Sequence, residues 1–76
     1  MNDNFPTPEV VEQIVRKIRP LLAGIGPRLQ GAVCADLTAL WLAGHDKAVR
    51  EELLAMQIAT IRELTTVNAR IIGTEP

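Results

Sequence analysis

Cys34, His45 and Asp46 are the residue types that elsewhere supply a nucleophile, a general base and an orienting carboxylate. Their spacing argues against that use. Cys34 precedes His45 by eleven residues, about three helical turns or ~16 Å along a helix axis. His45 and Asp46 are adjacent and fall where the chain must turn, so His45 reads as solvent-exposed punctuation and Cys34 as a small buried apolar residue. One cysteine and one histidine cannot build a four-ligand zinc site, and a single cysteine forms no intramolecular disulfide. There is no Gly-rich phosphate loop, no paired-carboxylate motif and no metal-ligand spacing. No metal or cofactor is therefore expected, and the chain reads as non-enzymatic.

Three polar positions stand out against an apolar background. Asp36 is the only charge between Gly31 and Gly44. It reads as a buried acid paired with Arg28, Arg50 or an arginine of another subunit, as a general acid or base, or as a residue on a narrow wet strip near Leu29 and Ala43. Gln57 and Asn68 fall inside an apolar arc beside Ile61 and Leu64. An amide in such a seam is costly unless it finds a partner, and its best-attested use is to fix register and oligomer number. The plainer reading is a gap in the arc that reaches solvent. Arg16, Lys17, Arg19 and Arg28 make a short basic cluster. Without interleaved aromatics and with a net charge of −1, it is a poor phosphate-contacting patch, so nucleic-acid binding is not expected.

The elements that must position these residues are helical. Apolar residues make up 47% of the sequence and aromatics only 3%, the profile of an Ala, Leu, Ile and Val core rather than of strands. Thr7 caps a first helix, with Pro8 at its first position and Glu9 at the positive dipole end. Val11, Ile14, Ile18, Leu21 and Ile25 recur at spacings of 3 and 4, the seam of a bundle helix. Glu9, Glu12, Gln13, Arg16, Lys17 and Arg19 take the other side. Pro20 kinks this helix, which is expected to continue in phase until Gly24 and Gly26.

Pro27 opens a second helix that ends at Ala43, with Gly44 as a left-handed stop. One face carries large residues, among them Leu37, Leu40 and Trp41. Another carries Gly31, Ala35 and Ala39 at every fourth position, a row of small residues that lets a neighbouring backbone come close. Asp46 reads as the N-cap of a third helix over 47–72, closed by Gly73. The apolar residues of that helix cover an arc of roughly 200°, wider than one neighbour needs.

These patterns predict an all-α fold: three helices up-down-up, the first kinked, forming a single helical domain over 7–72. Residues 1–6 are expected to form a flexible arm, with Phe5 as the residue able to dock it onto an apolar patch, and 73–76 to fray. A domain this small has a marginal core, and the greasy second helix must be covered by something. A second copy is the economical answer, giving a homodimeric six-helix bundle, with a tetramer second and a different protein partner also open. The expected interface is Gly31, Ala35, Leu37, Ala39, Leu40, Trp41, Gln57, Ile61, Leu64 and Asn68. The segment from Gly31 to Gly44 is too short to span a bilayer, and no signal peptide is visible, so a cytoplasmic protein is expected. The functional expectation is a small adaptor or regulator acting by self-association and protein–protein interaction. The alternatives are a binder of a small apolar ligand between helices and a small enzyme with an intersubunit site using Asp36, Arg28, Arg50 or Gln57.

Overall fold

A computed structural model describes residues 6–75. The arm before Pro6, including Phe5, and the terminal Pro76 lie outside the described residues. Within them the structure is all-helical, with α1 at Pro8–Leu22, α2 at Pro27–Ala43 and α3 at Lys47–Ile72. The chain divides into two compact units, and the boundary falls inside α2, between Cys34 and Ala35.

In the first unit, α1 begins as its sequence dictates. Thr7 has extended backbone angles, and its hydroxyl accepts from the Val10 amide at 3.3 Å. Pro8 follows at the first position, where its missing N–H is not needed. Glu12 and Arg16, one turn apart, form an exposed ion pair at 2.7 Å. Pro20 sits within the helix, so α1 remains one element across it. The end of α1 differs from expectation. The helix stops at Leu22, Ala23 is already extended at φ −65°, ψ 136°, and Gly24 is left-handed at φ +84°. Ile25 thus lies outside the helix, although it is still half-buried. The physical cause is local: the proline has removed one ladder bond, and Gly24 takes positive φ without a Cβ penalty. The side-chain amide of Gln30 donates to the Leu22 carbonyl at 3.0 Å, satisfying an end that the helix leaves open. Leu22, Ile25, Gln30 and Val33 are the sheltered residues of this corner.

In the second unit, the last turns of α2 and the whole of α3 meet at a tight turn. Thr38 and Leu42 on α2 and Arg50, Leu53, Leu54 and Gln57 on α3 are half-buried. Two expectations at this turn are corrected. Gly44 is not left-handed, because positive φ among the described residues occurs only at Gly24 and Gly73. Its amide continues the helical pattern to the Leu40 carbonyl at 3.1 Å. Asp46 does stand at the N-cap of α3, but its side chain makes no capping bond; its backbone carbonyl accepts from the Val49 amide at 3.0 Å instead. The far end of α3 follows the sequence, with Gly73 at φ +87° and its amide bonded to the Ala69 carbonyl at 3.0 Å.

No described residue is buried. The seam of α1 stands open at Val11 (45%), Ile14 (53%) and Leu21 (76%), and α3 exposes half of Leu64. Each helix has the apolar face that a bundle needs, and the single chain leaves those faces uncovered.

Candidate functional site

The most connected group of side chains is built at the end of α2. The last carbonyls of any helix lack intrahelical donors. Here His45 turns back so that its Nδ1 lies 2.7 Å from the Trp41 carbonyl oxygen. A carbonyl only accepts, so Nδ1 carries the proton in this contact. The imidazole meets the indole of Trp41 edge-on, with ring centroids 5.6 Å apart and planes at 71°, a favoured aromatic geometry. Arg50, from the first turn of α3, reaches back to donate through Nε to the His45 carbonyl at 3.0 Å and through Nη2 to the Ala43 carbonyl at 3.3 Å. A cation at a helix C-terminus also suits the dipole. These contacts tie the end of α2 to the first turn of α3, and Trp41 stands 39% exposed beside them.

Arg50 is one of the partners that the sequence offers Asp36. Its guanidinium is taken by backbone carbonyls. Asp36 and Arg28 are both exposed, and Glu12–Arg16 is the ion pair found among the described residues. Within one chain Asp36 therefore lies on the wet strip rather than in a buried pair. Cys34 is likewise exposed rather than buried. Sequence reasoning missed the His45 and Arg50 caps. Arg50 follows Ala43 by seven residues, and the intervening turn that returns it to the helix end has no sequence signature.

The expected interface residues fall on two surfaces. Gly31, Ala35 and Ala39 are exposed along α2, and an added Cβ at Gly31 would meet nothing within 4 Å. Leu37 (52%) and Leu40 (63%) are open on the same helix. On α3, Gln57 is half-buried while Ile61, Leu64 and Asn68 are exposed. Among the described residues neither amide is hydrogen-bonded to another side chain, and the two are not brought together. A shallow open depression of about 310 Å³ is lined by Arg16, Arg19, Pro20 and Ala23. Its walls are not the leucines and isoleucines that an apolar-ligand site needs. Among the described residues no group of three His, Cys, Asp or Glu could hold a metal ion, and no helix is long and apolar enough to cross a membrane.

No family model, curated protein or solved structure matches this chain.

Proposed function

We infer that this chain is a small helical protein that acts by self-association and protein–protein interaction, as an adaptor or regulator and not as an enzyme. Two copies, each an up-down-up set of three helices, associate about a two-fold axis into a six-helix bundle; a tetramer is the next assembly to consider. α2 and α3 supply most of the contact through Gly31, Ala35, Leu37, Ala39, Leu40, Trp41, Gln57, Ile61, Leu64 and Asn68. Asp36 and Arg28 are the charges such an assembly would cover, and the setting is cytoplasmic.

The single observation that carries this reading is that no described residue is buried, beside a long series of exposed Val, Ile and Leu on all three helices. Soluble monomers seldom leave contiguous apolar patches larger than a few hundred Å² open, and large exposed faces mark sites of association. The reading of an apolar-ligand binder gains no support from a depression walled by two arginines.

The test is the solution mass, by light scattering on a sizing column across a concentration series. A mass of two or four chains is expected. A folded, helical species of one-chain mass at every concentration overturns the reading.

A further inference from the structure

α1 differs in kind from the other two helices. It sorts its apolar and polar residues onto opposite sides, whereas α2 and α3 carry apolar residues on several sides. Val10, Val11, Ile14, Val15, Ile18 and Leu21 are all exposed, from 37% at Ile18 to 76% at Leu21. At 3.6 residues per turn they share one arc of about 140°, into which no polar residue falls.

The charges of α1 are graded around the helix. With the middle of the apolar arc taken as the bottom, Lys17 lies about 90° round on one flank and Arg19 about 110° round on the other. Glu12 stands higher, at about 130°, and Glu9 and Arg16 are near the top, at about 170°. Glu12 is held to Arg16 by the 2.7 Å ion pair, which turns its carboxylate away from the apolar arc.

We propose that α1 lies flat on an anionic lipid surface, its apolar arc among the acyl chains and its axis at the level of the head groups. The inference is independent of self-association, which draws mainly on α2 and α3. Helices that lie in such an interface combine a sharply bounded apolar face, a charged side and modest overall hydrophobicity. With the arc downward, Lys17 and Arg19 stand near the height of the axis, one on each flank and about 3 Å apart along it. Lys17 is one turn from Ile14 and Leu21, and Arg19 is one turn from Val15 and Leu22. Their stems can lie along these apolar edges while the charged ends reach lipid phosphates. The occupant that matches is apolar in the middle and negative at both margins; a neutral apolar groove would leave both cations without partners. Glu9 and Glu12 face water on the far side, where salt screens them from the phosphates. α1 is about 22 Å long, and no helix is long and apolar enough to cross a membrane, so the contact is one of lying on the surface.

The test uses the full chain with vesicles of phosphatidylglycerol and of phosphatidylcholine. Co-sedimentation with phosphatidylglycerol is expected, about ten-fold stronger than with phosphatidylcholine and weaker as salt is added. Lys17→Gln and Arg19→Gln should each reduce it about five-fold. Glu12→Gln combined with Arg16→Gln removes the upper ion pair without changing net charge and should leave binding within about two-fold. In a Trp41→Phe background, Ile14→Trp should shift its emission to the blue when phosphatidylglycerol vesicles are added. No co-sedimentation at low salt, equal binding to the two lipids, or a loss in the double variant as large as those at Lys17 and Arg19 overturns the proposal. So does an Ile14→Trp emission that is already blue without lipid and unmoved by it, which would assign the arc to a second copy. Light scattering on the same samples reads self-association separately, and a one-chain mass there leaves the lipid contact standing.

Discussion

His45 and Trp41, one helical turn apart, are joined twice: the imidazole Nδ1 lies 2.7 Å from the Trp41 carbonyl oxygen, and the two rings meet edge-on at 5.6 Å. With Arg50 on the carbonyls of Ala43 and His45, the imidazole does the work expected of a left-handed glycine at position 44. The first prediction concerns this corner. Arg50→Ala should lower stability by about 1–2 kcal/mol, because two carbonyls at a helix end lose a charged donor. Arg50→Lys should not restore it, since an ammonium lacks the planar fork that reaches both oxygens. Urea unfolding at matched protein concentration checks both. His45→Ala should cost less, about 1 kcal/mol, and should change the emission of Trp41, the only tryptophan. If Arg50→Ala were as stable as the parent chain, these contacts would carry no stability.

The glycines separate conformational need from packing need. Gly24 and Gly73 hold φ of +84° and +87°. Alanine at either should cost about 1–2 kcal/mol, the penalty of left-handed backbone with a Cβ. Gly31 is different, because it is helical and open in the single chain. Gly31→Ala should raise helix stability by about 1 kcal/mol through propensity alone. Gly31→Leu tests the small-residue row: it should reduce the assembled mass, since a large side chain there separates two close backbones. An unchanged mass would remove that row from the interface.

Pro20 offers a third check. It sits near the end of α1, and the helix stops two residues later at Leu22. Pro20→Ala should extend α1 toward Gly24 and increase the far-ultraviolet helical signal. Proline is less favourable than alanine by about 3 kcal/mol in a helix interior, and less near an end. A spectrum identical to that of the parent chain would mean that the Ala23–Gly24 turn alone sets the boundary.

The fourth prediction is thermodynamic. If association covers the open faces, the melting temperature must depend on protein concentration, because mass action stabilises the assembled state. Each ten-fold dilution should lower it by a measurable increment in a thermal scan followed by circular dichroism. A melting temperature constant over a hundred-fold range would contradict self-association, whatever the crystal or column behaviour.

Helix positions were legible to within a few residues, because each helix start is written in local chemistry: Thr7-Pro8, Gly26-Pro27 and Asp46. α2 and α3 end where the sequence says, at Ala43 and Ile72. The end of α1 was not legible. Leu21, Leu22 and Ile25 keep the helical period, and periodicity cannot register that Ala23 has left the helix. The inner wiring was illegible for a related reason. Arg50 reaches Ala43 only because the turn folds back, and a sequence records neighbours along the chain rather than across a corner. For Asp36 the sequence leaves a buried pair, a general acid or base and a wet strip all open, because its neighbours are apolar; in one chain those neighbours are themselves exposed, and the carboxylate is exposed with them.

The absence of any buried side chain among the described residues has a calorimetric side. The heat-capacity change of unfolding and the slope of stability against denaturant both scale with the surface that unfolding newly exposes. A lone chain that already shows about half of its Val, Ile and Leu side chains to water has less left to expose than a packed domain of its size. It should melt over a broad range, with a shallower denaturant slope and a smaller step in heat capacity than a packed domain of its size. A sharp endotherm with a clear baseline step would be the heat of uncovering faces that something else had covered.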